Sequence, residues 1–220
     1  MKIAAKGSPE RLEELDRVLS SAGLNVYRFE STKNIDLKAY DLLFDLNFDD
    51  DTSALSDYLT LEGTKSVLLL SGVKLQIEAI IPRSLWPNVV FINALPGFLS
   101  RSSIEFCTLS ETFDAQIFKQ IGWVGSNRTA SRVGMVSARV VFMIINEAYY
   151  TLQEGTAGRD DIDKGMKLGT AYPLGPFEWC EKVGLKNVYE TLSALYADTL
   201  DERYRICSML KTEYLSIQNP

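Results

Sequence analysis

The sequence predicts a chain in two parts, an α/β domain over residues 1–125 and an all-α domain over residues 126–220. In the first part, short strand-like apolar runs alternate with helical or loop stretches, which is typical of a mostly parallel sheet with covering helices. In the second part, the run from Arg139 to Leu152 is apolar nearly all round and longer than a strand. Such a run predicts a helix that is buried on most faces.

Residue types mark the first strand and helix of the α/β domain. MKIAAKG predicts a short strand, and Ser8 supplies a helix N-cap with Pro9 at the first helical position. Apolar residues at helical spacing follow, and Gly23 ends the helix. Further strands are predicted in LNVYRFE, YDLLFDLNF, KSVLLLSG, NVVFINAL and SIEFCTL.

Glycine, proline and acidic residues divide the all-α domain. The run from Arg159 to Asp163 predicts a loop that leads into an acidic helix start, and this short helix ends at Gly169. The Gly175–Pro176 pair predicts a sharp turn with proline at the first helical position. Lys186 to Ala197 is predicted as the last long amphipathic helix. An aromatic group is interpreted as core rather than as a ligand site: Tyr149, Tyr150, Tyr172, Phe177 and Trp179.

Composition and charge exclude several classes of protein. Hydrophobic residues make up 46% of the chain, which is ample for a buried core. The net charge is -6 with both signs interspersed, so neither nucleic acid nor an anionic membrane is an expected partner. No apolar run is long enough to span a bilayer, and the first residues become charged too soon for a signal peptide. We therefore expect a soluble, cytoplasmic protein.

No metal site is expected from the sequence. The cysteines are Cys107, Cys180 and Cys207, which are widely spaced without a CxxC pair, and the chain contains no histidine. The acidic run from Asp49 to Asp51 does not have the ligand spacing of a calcium loop. We interpret it as a solvated loop or helix start.

A longer motif carries a family resemblance. The segment from Ile144 to Leu185 reads IINEAYYTLQEGTAGRDDIDKGMKLGTAYPLGPFEWCEKVGL. It closely resembles, without gaps, the C-terminal helical domain of the L-3-hydroxyacyl-CoA dehydrogenases. The resemblance is strong from about Gly134 to Leu210 and weak before that. It implies a Rossmann-like domain, here truncated, followed by the family's helical domain, and a homodimer formed through the helical domain.

The resemblance also implies where catalytic residues should stand. The family's general base is a histidine, followed twelve positions later by a glutamate; Asn93 and Glu105 occupy these positions. An amide has no basic nitrogen near neutral pH, so Asn93 cannot accept the proton of hydride transfer. Glu105 is either a substitute acid or base in a cleft, or a strand-edge carboxylate paired with Arg101 or Lys74. Asn93 is either a cleft residue or a satisfied cap at a strand end.

Two family positions that contact substrate have also changed. The substrate-binding serine aligns, with one gap, with Val73, beside Lys74. The asparagine of a GFxxNR motif aligns with Ala138, which leaves only Arg139 of that pair. We take Val73, Lys74 and Arg139 as the candidate substrate-binding positions.

The family's nucleotide loop is also altered. NAD binding through a GxGxxG turn requires backbone amides at a helix N-terminus. The corresponding turn reads KGSPERLEE: Gly7 remains, Pro9 lacks an amide proton, and Glu10 and Glu13 place carboxylates where phosphates would lie. Glu30 stands where a family acid would bind a ribose, although acids are common at strand ends for solubility alone. We expect no cofactor, and NAD only if the enzyme is active.

Three functions remain open. The first is a family homologue that has lost hydride transfer but retains a site for an acyl-CoA or another small ligand. The second is an active NAD-dependent L-3-hydroxyacyl-CoA dehydrogenase of fatty-acid metabolism, with Glu105 as base. The third is a non-catalytic dimeric interaction protein, and NADH absorbance with acetoacetyl-CoA separates the second from the other two.

Overall fold

The first unit of the protein is built on one mostly parallel sheet. The computed structural model describes residues 1–218 and gives two compact units, Met1–Met135 and a second that begins at Val136. Within the described residues, seven strands form the sheet: β1 (Ile3–Lys6), β2 (Tyr27–Arg28), β3 (Leu42–Asp45), β4 (Val67–Ser71), β5 (Val89–Ile92), β6 (Ser103–Cys107) and β7 (Gly125–Arg128). Their order is β2-β1-β3-β4-β5-β6-β7, and only β5 and β6 pair antiparallel in this sheet.

Helices and short turns connect these strands. The helices are α1 (Pro9–Ser21), α2 (Leu55–Tyr58), α3 (Ile77–Ile80) and α4 (Gln116–Gln120). Short 3-10 helices lie at Thr32–Asn34, Leu37–Ala39, Leu59–Leu61 and Arg83–Asn88. One apolar core packs α1 and α4 against the sheet, and a second core on the other face includes Tyr58, Ile77 and Leu85. The predicted α/β architecture is confirmed, with Ser8 at the N-cap position and Pro9 beginning α1.

Two parts of the sheet differ from the sequence prediction. The run LNVYRFE forms a strand only at Tyr27–Arg28, where both side chains are exposed at the sheet edge. The strand β7 was not predicted, because its sequence GSNR is polar and lacks strand-forming residues. It nevertheless pairs with β6, with Asn127 opposite Glu105. This pairing keeps residues 125–135 with the sheet, so the division falls after Met135 rather than after residue 125.

The second unit consists of helices in the part of the chain that the structure describes. They are α5 (Ser137–Gln153), α6 (Arg159–Thr170), α7 (Pro176–Val183), α8 (Leu185–Thr199) and α9 (Ser208–Gln218), with a 3-10 turn at Glu202–Tyr204. The segment from Arg159 is already helical and not a loop, because Gly158 serves as the N-cap and the acidic residues lie in the first turn. The helix at 186–197 is not the last, since α9 follows it.

Aromatic side chains form part of the core of this unit, as predicted. The Tyr149 and Phe177 rings meet edge to face with centroids 5.1 Å apart. Trp179 is also buried, whereas Tyr150 and Tyr172 are half-buried. None of the helices in residues 1–218 has the length and apolarity to cross a membrane.

Leu200 provides a test of backbone strain. It ends α8 in the left-handed region with φ of 51°, and its residue surface is 75% exposed. Leu200→Gly should raise the free energy of unfolding by roughly 0.5–1 kcal/mol, since glycine adopts this conformation without steric cost. Leu200→Ala is the matched control, because it removes the same side chain but keeps Cβ. Thermal unfolding in which the two variants are equally stable would contradict this expectation.

Candidate functional site

A cleft lies beyond the carboxyl ends of β1, β2 and β3. Its volume is about 630 Å³, and its charged lining residues are Lys6, Arg28, Glu30, Asp45, Asp50 and Asp51. The chain passes from β1 to β2 on one side of β1 and then from β2 to β3 on the other side, so the direction of strand addition reverses at β1. Such a switch point is where open α/β sheets bind ligands. Gly7 and Glu30, the two predicted cofactor remnants, both line this cleft.

The turn after β1 packs against and hydrogen-bonds to the loop after β3. A Cβ atom at Gly7 would lie 2.8 Å from Cβ of Leu46, so glycine permits close approach of these two segments. The backbone amide of Ser8 donates to Oδ1 of Asn47 at 3.1 Å, and Pro9 has no amide proton. The amide of Ser8 is therefore not free for a phosphate oxygen.

The acidic run after β3 was interpreted as a solvated loop or helix start, and it is a turn in which Asp50 and Asp51 are exposed but the Asp49 side chain is buried. Two cations hold this run. Arg11 lies on the buried face of α1, where it donates to the carbonyl oxygen of Leu46. Its Nη1 lies 3.5 Å from Oδ1 of Asp49, and its Nη2 lies 3.2 Å from Oδ2 of Asp50. Lys74 Nζ contacts the other oxygen of Asp50 at 2.6 Å. The Asp49 side chain is 0% exposed. We refer to Arg11, Asp49, Asp50 and Lys74 as the buried ion network.

One predicted substrate-binding position, Lys74, belongs to this network, and another, Val73, contacts it. The backbone amide of Val73 donates to Oδ2 of Asp49 at 3.3 Å, and Lys74 is buried in its ion pair with Asp50. Burial raises the pKa of Asp49, and the charges of Arg11 and Lys74 oppose that shift. Sequence reasoning missed Arg11. Its spacing from Leu15 and Val18, which places it on the apolar stripe of α1, was the available signal.

A second polar cluster lies where β1 and β3 end. Lys6 Nζ contacts Oδ2 of Asp45 at 2.9 Å, and the buried hydroxyl of Tyr58 donates to the same oxygen at 2.8 Å. Burial raises the pKa of Asp45, and the bonds from Lys6 and Tyr58 oppose this. Burial and the adjacent carboxylate also raise the pKa of Tyr58. The Lys6 charge in the cleft is thus neutralised within the protein.

The predicted catalytic pair is brought together by Asn93, directly after β5, and Glu105 on β6. Asn93 Nδ2 donates to Oε2 of Glu105 at 3.3 Å, and the two residues are 1% and 9% exposed. Oδ1 of Asn93 accepts from the amide of Leu95 at 3.4 Å, so both ends of the carboxamide have internal partners. Burial lowers the pKa of Arg101, and the nearby Glu105 carboxylate opposes that shift. Glu105 thus faces Arg101, whereas Lys74 is paired with Asp50.

The other two predicted positions lie in the second unit, on α5. Ala138 is fully buried. Arg139 Nη1 donates to the hydroxyl of Tyr204 at 2.9 Å, and its guanidinium lies 5.6 Å from the centroid of the Tyr204 ring. This arginine therefore connects α5 to the turn before α9.

The GPFEW motif has a structural explanation within the second unit. The buried carboxylate of Asp163 on α6 accepts from the amides of Phe177 at 2.9 Å and Glu178 at 3.2 Å. It therefore caps the N-terminus of α7 from another helix. Glu178 reaches back to the amide of Gly175 at 2.8 Å. Position 175 needs glycine because a Cβ atom there would overlap the Asp163 carboxyl group.

The described residues do not form a recognisable metal-binding site. Within residues 1–218, no group of three or more His, Cys, Asp or Glu side chains could hold a metal ion. The described cysteines Cys107, Cys180 and Cys207 are buried and free. Burial raises the pKa of Cys107 and of Cys180 to about 11 each, so both thiols are protonated at neutral pH.

Comparisons with known proteins identify the family. The profile of the 3-hydroxyacyl-CoA dehydrogenase C-terminal domain matches residues 134–216. A 3-hydroxybutyryl-CoA dehydrogenase of Clostridioides difficile is 30% identical over 213 residues, which cover 92% of this chain and 73% of that protein. A 3-hydroxyadipyl-CoA dehydrogenase of Escherichia coli (strain K12) is 44% identical over 82 residues, 37% of this chain and 17% of that protein's length.

Solved structures agree on the fold. FadB2 of M. tuberculosis has a TM-score of 0.81 at 15% identity, covering 99% of this chain and 94% of that one. A (S)-3-hydroxybutyryl-CoA dehydrogenase, PaaH1 of Ralstonia eutropha, has a TM-score of 0.69 at 23% identity, covering 93% and 78%. With a Rossmann-like unit followed by the helical domain, the chain belongs to the 3-hydroxyacyl-CoA dehydrogenase family.

Proposed function

We propose that this chain is a 3-hydroxyacyl-CoA dehydrogenase homologue that is impaired in hydride transfer and retains binding of an acyl-CoA or another small ligand. The observation that carries the proposal is the Asn93–Glu105 pair. Asn93 supplies no basic nitrogen, and its carboxamide is bonded to Glu105 and to Leu95 rather than presented to a substrate. A hydroxyl substrate would therefore meet no histidine-type base at this position.

The turn after β1 supports the same proposal. Dinucleotide binding needs free amides at the N-terminus of a helix, together with a favourable potential for phosphate. Here the Ser8 amide is bonded to Asn47, Pro9 has no amide proton, and the cleft has four carboxylates against two cations among its lining residues. The residues present do not fit a pyrophosphate, and we expect no cofactor at this site.

The second candidate is an active NAD-dependent L-3-hydroxyacyl-CoA dehydrogenase of fatty-acid metabolism. It is favoured by the Clostridioides difficile relative, which is named for that type of activity and aligns over 92% of this chain. In this case Glu105 would serve as the base. Two measurements separate the candidates: calorimetric titration with NADH, and NADH absorbance with acetoacetyl-CoA. Binding at roughly micromolar to tens of micromolar, with turnover, would favour the active enzyme over our first proposal.

Restoring the missing base should not restore turnover. We expect Asn93→His to remain inactive with saturating acetoacetyl-CoA and millimolar NADH. A general base contributes about 10²–10⁴-fold only on top of a bound and oriented cofactor. Asn93→Gln is the matched control for the longer side chain. Turnover in Asn93→His but not in Asn93→Gln would show that the nucleotide site works and that our explanation is wrong.

We also propose that the protein forms a homodimer through the helical unit. Val136 and Val140, before and on α5, are 56% and 51% exposed, so this helix carries an apolar surface without cover in the single chain. Val140→Asp should shift the protein toward monomer in sedimentation equilibrium, because a buried unpaired charge disfavours the interface. Val124→Asp in the first unit, where Val124 is 77% exposed, is the control. Unchanged association of the Val140 variant would place any interface elsewhere.

A further inference from the structure

A buried carboxylate on α1 holds the loop that follows Asn93. Glu14 is 5% exposed, and its Oε1 accepts from the backbone amide of Gly97 at 2.6 Å. Its Oε2 accepts from the backbone amide of Ser100 at 3.1 Å. The bonded residues are 83 and 86 positions apart in the chain, so these contacts form only when the first unit folds. Each oxygen of one carboxylate thus holds one end of the loop between β5 and β6.

Glu14 stands at a position where an apolar side chain would be expected. It lies on the buried face of α1, next to Leu15 and one turn before Val18, and both of these neighbours belong to the apolar core. Burial of a carboxylate is unfavourable unless hydrogen bonds compensate for the loss of water. Here two loop amides provide those bonds, and they in turn receive a charged acceptor. The pairing therefore points to a role in fixing the loop rather than in filling the core.

The held loop is connected to the Asn93 side chain by short contacts. A turn spans Leu95–Phe98, in which the amide of Phe98 donates to the carbonyl oxygen of Leu95 at 3.0 Å. Gly97 occupies its third position with φ of 82°, which is typical of a type II turn after proline. The amide of Leu95 donates to Oδ1 of Asn93 at 3.4 Å. A displacement of Gly97 would therefore move the group that binds the Asn93 carboxamide.

We propose that Glu14 is a positioning residue, which fixes loop 94–100 and thereby holds Asn93 in its contact with Glu105. The proposal rests on the proposed function in one respect, namely that the Asn93–Glu105 pair belongs to the functional site. Arg11, three residues before Glu14 on the same buried face, holds the turn after β3 through the carbonyl oxygen of Leu46. One helix thus orders two loops at the carboxyl ends of the strands with the protein's own side chains.

NMR spectra of the full chain test this role in the variant Glu14→Gln. The variant replaces one carboxylate oxygen by an amino group, which cannot accept from a backbone amide. We expect the side-chain amide signals of Asn93 to shift, and at least one of the Gly97 and Ser100 amides to exchange about tenfold faster or more. Glu13→Gln is the matched control, because it makes the same change at an exposed position of the same helix. It should leave all of these signals unchanged.

The Asn93 signals separate positioning from a purely structural role. A residue that only stabilises the fold would lower the urea midpoint of Glu14→Gln and leave the Asn93 signals of the folded protein in place, and that result would overturn the proposal. Glu14→Asp keeps the charge but withdraws it by one methylene group, and it provides the same measurement if Glu14→Gln does not fold. Turnover with NADH would overturn impaired hydride transfer and not the role of Glu14, whereas unshifted Asn93 signals would do the reverse.

Discussion

Arg11→Met should lower the free energy of unfolding by about 3–5 kcal/mol, because it leaves a buried carboxylate without its cation. The side chain of Asp49 is fully buried, and Arg11 is one of the two cations of the buried ion network. Methionine retains much of the apolar stem, so the loss is mainly electrostatic. Urea unfolding measures the change. Arg17→Met, at an exposed position on the same helix, is the control and should change stability by less than about 0.5 kcal/mol.

The penalty of Arg11→Met should also depend on pH. Burial raises the folded-state pKa of Asp49, and loss of Arg11 removes a charge that opposes that shift. With the folded pKa above the unfolded value, the carboxyl contributes stability at low pH that is lost as pH rises through the folded pKa. The variant should therefore be closer to the wild type at pH 5 than at pH 8. A penalty that is equal at both pH values would contradict the coupling between the charge of Arg11 and the titration of Asp49.

Gly175→Ala should lower the free energy of unfolding by about 2–4 kcal/mol. The added Cβ overlaps the Asp163 carboxyl group, so the change combines a steric clash with displacement of the α7 cap. The backbone φ of -70° is allowed for alanine, so backbone strain does not contribute. Thermal and urea unfolding both measure this loss.

Two further variants make the Gly175→Ala experiment specific. Gly165→Ala lies inside α6 with no atom within 4 Å of the new Cβ, and it should stabilise the protein by roughly 0.5–1 kcal/mol. The double variant Gly175→Ala/Asp163→Ala should lose less than the sum of its single changes, because truncating Asp163 removes the group that clashes. Strict additivity would show that the clash with Asp163 is not the cause.

Local residue patterns predicted much of the fold. Ser8 and Pro9 predicted where α1 begins, and Gly175–Pro176 predicted where α7 begins, because caps and first-turn prolines act within a few residues of the chain. The apolar face of α8, with Val188, Leu192 and Leu195, is also buried as its spacing indicates. The polar edge strand β7 was missed, since only its pairing with β6 makes it a strand.

The candidate site was less accessible to sequence reasoning. Alignment by spacing placed Asn93 and Glu105 together, and the structure brings them within 3.3 Å. It could not show that Asn93 is satisfied by internal partners, because Glu105 reaches it only after β5 and β6 pair, while the bond from the Leu95 amide is a local turn contact. The sequence also could not show the partner of Lys74, which pairs with Asp50 and not with Glu105.

The sequence by itself determined the two-part architecture, the absence of histidine, and the altered turn at Gly7 and Pro9, because these depend on composition and on short-range patterns. Only the tertiary structure decided the environment of the charges. Asp49 and Asp51 stand two residues apart in one acidic run, yet one is buried beside Arg11 and the other faces the cleft. The difference arises because Arg11 on α1 reaches the turn after β3 and places a cation beside Asp49, which local sequence does not specify.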